Sequence, residues 1–305
     1  MTFHLSGDAG IGRVALRVDD VEGMAEFYGE ALGLARLGTG DGAADATDGS
    51  DDTGRRGDTR GSDRTTWLGT GDGDPILGLV EAADAPARGE REAGLFHVAV
   101  RVPTREALAE GVARLRVAGV RLSGASDHLV SEAVYCSDPE GNGLELYRDR
   151  PREEWEATAD GGVRMATLPL DLEDLLAGAG DPGDRIHPGA DVGHVHLEPT
   201  DLDRSVGFYR DDLGMNVRTR MGEDAAFLAA GDYHHHVGLN RWDDRSDPAG
   251  DTRGLAWFEL AVPPGDRRSL ADRLDGGATG DSLEPDGESF EVRDPDGIRV
   301  RIVPR

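Results

Sequence analysis

The chain has 305 residues, with 60 Asp plus Glu against 33 Lys plus Arg, all of the latter arginine, and a formal net charge of −27. That length suggests about two domains and an ordinary core, which excludes a peptide or a disulfide mini-scaffold. A field this negative repels phosphate backbones and anionic lipid, so neither nucleic acid nor a membrane is an expected partner; the charge reads as the habit of a halophilic protein in a salt-rich cytoplasm.

The first predicted strand is IGRVALRV, followed by a helix-period stretch from Val21 to Leu34 that contains Phe27-Tyr28. Residues 38–64 are Gly, Asp, Thr and Arg with almost nothing apolar, and are expected to form a mobile, disordered acidic insertion. A second unit starts near Gly94 with LFHVAV, continues in an amphipathic helix from Arg105 to Ala118, and ends in DPEGNGLELY from Asp138. Residues 151–190 read as a linker with a short strand in MATLPL and a short acidic helix in LEDLLAGAG. A third unit opens at Asp191 with VGHVHLEP and a helix from Leu202 to Met215, in which Phe208-Tyr209 stands as far beyond His194 as Phe27-Tyr28 does beyond Arg13. The fourth starts near Gly254 and closes with DPDGIRVRIV, matching the end of the second. Four strand-helix-three-strand units therefore account for most of the chain. The expected class is α+β, with four βαβββ modules in two paired units, residues 1–150 holding modules 1 and 2 and residues 191–305 holding modules 3 and 4.

The lone cysteine, Cys136, excludes an internal disulfide and a multi-thiolate metal site, and its alternation with Tyr135 makes it a packing residue. The opening residues carry no basic-then-apolar signal and no stretch of about 18 apolar residues occurs, so a cytoplasmic location is expected. GTGDGD at Gly69 lacks the following helix and Lys-Ser or Lys-Thr of a phosphate loop, and no H-E-x-x-H or G-x-S-x-G is present.

The paired modules, the FY-x-x-x-LG signature, FHVAV and DPEGNGLELY resemble the vicinal oxygen chelate (glyoxalase/bleomycin resistance/dioxygenase) superfamily, and within it the two-domain extradiol catechol 2,3-dioxygenases. The resemblance spans nearly the whole chain except 38–64. It implies a 2-His-1-carboxylate metal triad: a first-strand histidine from each of two modules and a last-strand glutamate. The repeat-equivalent first-strand positions are Arg13, His97, His194 and Trp257, and the last-strand positions of modules 2 and 4 are Glu145 and Arg301. Only His97, Glu145 and His194 can ligate, so a complete site requires modules 2 and 3 to meet, either within one chain by a 2-with-3 and 1-with-4 pairing or between chains. This departs from the familiar enzymes, whose site lies between modules 3 and 4; Arg301 cannot be deprotonated to bind a cation.

Two imidazoles and a carboxylate suit Fe(II) and leave room for a bidentate catecholate and dioxygen; Mn(II) suits the same donors. His196, two positions beyond His194, shares its strand face and is the second choice. The His234-His235-His236 triplet, directly before Val237-Gly238-Leu239, reads as part of the last strand of module 3; the resemblance further implies an acid-base histidine in that strand, selecting His235, a substrate-binding tyrosine at Tyr135, and an additional active-site histidine at His128. His4 and His187 match nothing. The implied activity is extradiol cleavage of catechol or a simple substituted catechol to a hydroxymuconic semialdehyde. Such modules commonly assemble, so a homo-oligomer is an open expectation. A glyoxalase-like lyase or isomerase, which needs a fourth protein ligand, and a metal-free small-molecule binder on the same scaffold are the alternatives.

Overall fold

The computed structural model describes residues 3–41, 64–274, 281–282 and 289–305. Module 1 comprises β1 (Gly10–Val18), α1 (Val21–Leu32), β2 (Ala35–Asp41), β3 (Arg64–Gly69) and β4 (Pro75–Glu81). Module 2 comprises β5 (Gly94–Arg101), α2 (Arg105–Val117), β6 (Gly124–Asp127), β7 (Ser131–Ser137) and β8 (Gly143–Asp149). The linker carries β9 (Leu168–Pro169) and α3 (Leu172–Ala177). Module 3 follows with β10 (Asp191–Glu198), α4 (Leu202–Gly207), β11 (Asn216–Met221), β12 (Ala225–Ala229) and β13 (Val237–Asn240). Module 4 contains β14 (Gly254–Val262), α5 (Pro264–Leu274), β15 (Asp281–Ser282), β16 (Phe290–Arg293) and β17 (Arg299–Pro304).

The four modules form two sheets. One runs β15-β16-β17-β14-β1-β4-β3-β2 and the other β11-β12-β13-β10-β5-β8-β7-β6-β9. The first is module 4 joined to module 1 through antiparallel β14 and β1; the second is module 3 joined to module 2 through antiparallel β10 and β5. Each sheet thus draws one module from residues 1–150 and one from residues 191–305, and the 2-with-3 pairing is made within one chain. One apolar core unites the helices and one face of each sheet, including Val14 and Leu16 of β1, Val98 and Val100 of β5, and Val195 and Leu197 of β10. The opposite strand faces form two cups.

Local sequence explains the elements. Asp20 caps α1 by accepting the Gly23 N–H, and Gly33 ends it in the left-handed region at φ 77°. A side chain at Gly33 would also meet the Ile186 backbone nitrogen at 2.6 Å. Thr104 caps α2 through the Ala107 N–H. The third-module helix does not run as one α-helix to Met215: α4 stops at Gly207 and continues as a π turn over Phe208–Asp212. That turn delivers Tyr209, whose hydroxyl donates to Asp294 at 3.1 Å; Tyr28 donates to Asp138 at 2.9 Å in the same way. Each aspartate also accepts a backbone N–H of its own turn, Asp138 from Asn142 and Asp294 from Ile298. The FY signature of one module and the Asp-Pro turn of the next are therefore two ends of one buried hydrogen bond, which ties module 1 to 2 and 3 to 4 while the sheets pair the other way.

The expected insertion is narrower than 38–64. Residues 38–41 end β2 and residue 64 begins β3, because Gly38, Thr39 and Gly40 pair with Trp67, Thr66 and Thr65, and ladder hydrogen bonds need no apolar side chain on the partner. Residues 42–63 lie outside the described residues. The linker strand is limited to Leu168–Pro169, which extends the edge at β6.

Candidate metal centre

Alternation on β5 turns His97, Ala99 and Arg101 into one cup and Val98 and Val100 toward the helices. On β8 it turns Glu145, Tyr147 and Asp149 the same way, with Leu144 and Leu146 on the core side. Two bulges sit at the β5–β10 seam. Phe96 is the unpaired residue between the His97–His196 and Leu95–Leu197 pairs, and Gly193 is unpaired between Val192 and His194. A Cβ at Gly193 would lie 1.8 Å from the Tyr147 hydroxyl, so glycine there is what lets Tyr147 occupy the cup floor.

The bulged seam brings His97, Glu145 and His194 together, all three buried. His97 Nε2 lies 2.9 Å from Glu145 Oε2, His194 Nε2 lies 3.2 Å from the same oxygen, and the two Nε2 atoms are 3.4 Å apart. A first-row divalent cation with bonds of about 2.1 Å needs donor separations of about 3.0 Å at right angles and about 3.4 Å at tetrahedral angles. The triangle matches a set of donors on one cation, and these donors fit a divalent iron or manganese. Among the described residues this is the one cluster of three metal-capable donors.

The protonation states favour ligation. Burial raises the Glu145 carboxyl, but His194 and His97 outweigh it and hold it well below the usual carboxylate range. Burial lowers His194 to about 4 against the pull of Glu145, so its imidazole is neutral near pH 7. His196 is also buried and held well below its ordinary value, first by desolvation and then by His97. Its ring packs between His97, Phe96, Phe227 and Trp242, and its Nε2 has no protein partner. It stands on the cavity wall beside the triangle.

The histidine triplet is not on a strand. β13 begins at Val237, and His234–His236 occupy the turn before it, which Gly231 enters at φ 58°. Gly231 and the turn carry the backbone out of the pleat, and His236 rejoins it through its N–H to the Leu228 carbonyl. The three rings therefore diverge. His236 accepts the Ala230 N–H on its Nδ1, and burial pushes it down to about 3. His234 Nε2 donates to Asp149 Oδ1 at 2.8 Å, and its Nδ1 is 2.7 Å from His235 Nδ1. His235 lines the cavity, with its ring centre 4.1 Å from that of His194.

The Asp149 contact assigns the protons. A carboxylate accepts, so His234 Nε2 carries hydrogen, and the 2.7 Å contact between the two Nδ1 atoms then runs from His235 Nδ1 as donor to His234 Nδ1 as acceptor. His235 is left with its Nε2 lone pair on the cavity side. Asp149 is itself held by Arg101 Nη1 at 3.1 Å and Tyr233 Oη at 3.0 Å, and it stays ionised, since His234 and Arg101 outweigh the burial that would raise it. Sequence reasoning missed Asp149, although its even spacing from Glu145 on β8 marks it as sharing that face.

Tyr135 and His128 also meet. Tyr135 stands opposite Glu145 in the β7–β8 ladder, and its hydroxyl donates to His128 Nε2 at 2.6 Å; His128 Nδ1 donates to the Ala166 carbonyl at 2.7 Å. Burial and then Glu145 push the Tyr135 phenol well above its ordinary value, so it remains a neutral donor. Cys136 packs in the core, its thiol raised to about 11 by burial and then by Asp138. His187 is exposed and accepts the Gly189 N–H, and His4 is exposed at the surface.

These side chains face a cavity of about 380 Å³ whose wall includes all three cluster residues, His196, His235 and Tyr135. The repeat-equivalent cup between modules 1 and 4 is instead filled. Arg13 pairs with Glu259 at 2.6 Å, Arg301 lies over the Trp257 ring at 3.9 Å and bonds Glu291 at 3.2 Å, and Trp67 packs on Trp257.

The family model of the Glyoxalase/Bleomycin resistance protein/Dioxygenase superfamily matches residues 10–146 and 191–302. The chain belongs to that superfamily. Its chain is 36% identical over 300 residues, 94% of each chain, to a Bacillus subtilis (strain 168) protein named catechol-2,3-dioxygenase. The superfamily fold recurs in a solved structure from Bacillus subtilis subsp. subtilis str. 168, with TM-score 0.59 at 15% identity over 98% of this chain and 85% of that one. It recurs also in glyoxalase I from Zea mays, with TM-score 0.56 at 15% identity over 97% and 92%. Among the described residues no helix is long and apolar enough to cross a membrane.

Proposed function

We propose that the chain is an extradiol ring-cleaving dioxygenase acting on catechols at a mononuclear Fe(II) centre held by His97, Glu145 and His194. The single observation that carries this reading is the buried triangle of two imidazole nitrogens and one carboxylate oxygen opening onto a cavity. The name of the 36% identical relative supports the same chemistry. His97, Glu145 and His194 would hold the iron(II) ion, which would supply Lewis-acid and redox chemistry toward the catechol oxygens and dioxygen. The reaction balances as catechol plus dioxygen giving hydroxymuconic semialdehyde: one ring carbon–carbon bond breaks next to the diol, both oxygen atoms enter the product, and no external reductant is needed.

The chain's own residues have distinct tasks in this reading. His235, with Nε2 free, takes a proton from the catechol hydroxyl nearest it and returns it to the product oxygen. Asp149 and His234 hold the tautomer that keeps this nitrogen bare. Tyr135, whose hydroxyl hydrogen is held by His128, turns its oxygen lone pairs beside Glu145 to accept from a substrate hydroxyl and orient the ring. Phe96, Phe227 and Trp242, packed around His196, give the cavity wall an apolar face for the ring. A glyoxalase-like reaction would need a further protein ligand, and the strand position that would supply it in module 3 is taken by Val237–Asn240, with no carboxylate.

The test is anaerobic purification, elemental analysis, and dioxygen uptake with catechol, repeated for His97→Ala and Glu145→Ala. The expected result is about one iron or manganese per chain, substrate-dependent oxygen uptake, and loss of both bound metal and activity in each variant. Full metal content and full product formation in both variants would overturn the assignment.

A further inference from the structure

A second cavity, of about 320 Å³, opens on the strands of modules 1 and 4, and none of its lining residues lines the metal cavity. Five arginines from separate segments face it: Arg17 near the end of β1, Arg88 in the loop before β5, Arg253 just before β14, Arg293 at the end of β16 and Arg299 at the start of β17. Among the described residues the wall carries one carboxylate, Asp251, whose side chain is 92% exposed and pairs with Arg17. The other acidic partners lie off the wall, and two of them are shared. Arg88 holds Glu198 at 3.0 Å, which Arg245 also holds at 2.9 Å; Arg299 holds Glu291 at 2.6 Å, which Arg301 also holds at 3.2 Å; Arg253 holds Asp19 at 2.6 Å. Arg293 donates to the Gly297 carbonyl at 3.1 Å and makes no ion pair among the described residues.

Two features separate this wall from ordinary charged surface. Arg293 and Arg299 stand directly opposite each other in the β16–β17 ladder, where like charges repel. The equivalent pair in module 2 is Ser137 and Gly143, so the repeat does not require charge at these positions. Moreover, Arg88 Nη1 is buried without a hydrogen-bond partner, and Gly94 is what leaves room for it, since a Cβ there would lie 2.8 Å from that nitrogen. An unpartnered buried donor and an opposed pair of cations are both costly, and both are relieved by one added anion.

We propose that this cavity binds a small, multiply charged oxyanion, bearing phosphoryl or carboxylate groups, held between the Arg293–Arg299 pair and the guanidiniums of Arg17 and Arg88. The planar fork of arginine takes either group through paired N–H bonds. A cleft lined by one sign of charge focuses its field locally, so the net charge of −27 on the whole chain does not bar an anion from it. Asp251 is the group the ligand displaces from Arg17, because an exposed ion pair contributes little. The site stands apart from the metal cluster and is independent of the reaction carried out there.

Calorimetric titration of the metal-loaded full chain with inorganic phosphate and with succinate, at one ionic strength set by sodium chloride, tests the site. Saturable binding of at least one of them, at one per chain, is expected. Tighter phosphate identifies a phosphoryl ligand and tighter succinate a dicarboxylate. Arg293→Gln and Arg17→Gln should each weaken binding by about tenfold or more, the size of a lost charge-assisted contact. His97→Ala, which removes a metal ligand, should bind within about threefold of wild type, because the anion does not sit on the metal. Arg293→Gln also removes a like-charge contact, so without ligand it should melt no lower than wild type, while the tighter-binding anion raises the melting temperature of wild type more than that of the variant. No saturable binding of either anion, equal affinity in both arginine variants and wild type, or binding abolished by His97→Ala overturns the proposal.

Discussion

Asp149→Asn tests whether the Asp149–His234–His235 chain sets the proton position in the cavity. The substitution keeps shape and removes one acceptor. In the native protein one carboxylate oxygen accepts from His234 Nε2 at 2.8 Å and the other from Arg101 Nη1 at 3.1 Å. An asparagine has a single acceptor, and the guanidinium claims it, because an amide NH2 pressed on a cation leaves both groups unsatisfied at about 1–3 kcal/mol. The NH2 then faces His234 Nε2 and donates to it. His234 moves its hydrogen to Nδ1, His235 accepts there, and the cavity-side Nε2 of His235 becomes protonated and useless as a base. Loss of a positioned general base costs about 10²- to 10⁴-fold in kcat. Dioxygen uptake at saturating catechol reads the loss, elemental analysis shows whether the metal is retained, and ¹⁵N shifts of the histidine rings in metal-free protein report the tautomer directly. Adding Arg101→Gln releases the asparagine to turn its oxygen back to His234, so the double variant should recover part of kcat. A fully metallated Asp149→Asn enzyme with kcat within about threefold of wild type, far above the loss expected of an absent base, or with an unchanged His235 tautomer, would refute the reasoning.

Two further outcomes concern stability. Burial depresses His194 to about 4 and His236 to about 3, and depresses His196 and His235 as well, so these groups bind protons in the unfolded chain before they do in the folded one. Their stabilisation is fully present above about pH 6.5 and is lost as pH falls toward 4, at about 1.4 kcal/mol per unit for each group. Asp294, raised to about 6 by burial, and Asp138, also raised by burial, act in the opposite sense, but four imidazoles outweigh two carboxyls. Urea midpoints of metal-free protein should therefore drop by several kcal/mol equivalents between pH 6.5 and 4.5, and a flat profile would contradict the burial of neutral histidines. Gly193→Ala puts a methyl 1.8 Å from the Tyr147 hydroxyl and should cost about 1–3 kcal/mol, with Tyr147→Phe recovering part of it in the double variant; additive losses would show that the two residues do not compete for that space.

The fold was legible because it is written four times. Equivalence of Arg13, His97, His194 and Trp257 needs only the position of each residue in its unit, and the two histidines and Glu145 point to the modules that must meet. The sheet order joins those modules in one chain. The familiar alternative, a site between modules 3 and 4, was excluded on residue chemistry alone, since Arg301 and Trp257 cannot ligate a cation. Less was legible where backbone irregularity decides. Alternation alone does not reveal the bulges at Phe96 and Gly193, which bring His97 and His194 to the same point and push a phenylalanine into the cavity. The His234–His236 triplet read as strand because apolar residues follow it, yet Gly231 makes it a turn, and only a turn lets consecutive histidines reach Asp149, the cavity and the Ala230 N–H separately. The insertion was bounded too widely because composition measures apolar content, whereas β2 is held by backbone pairing to β3.

The two cups provide an internal comparison on one scaffold. In both, the same strand positions point inward, and in both the inward polar groups must be satisfied or left available. Between modules 1 and 4 the positions hold Arg13, Trp257 and Arg301, and the cup answers its own charges: Arg13 with Glu259, Arg301 with Glu291, and the guanidinium of Arg301 against the Trp257 face. Between modules 2 and 3 three potential ligand atoms converge on one point, His194 Nδ1 and His196 Nε2 have no protein partner, and the space around them is a cavity. Burial of polar atoms without partners is costly and is retained where something else binds them. The difference between a self-satisfied cup and one that leaves its imidazoles facing space is what separates scaffold from centre in this chain, and it follows from three residue choices at equivalent positions.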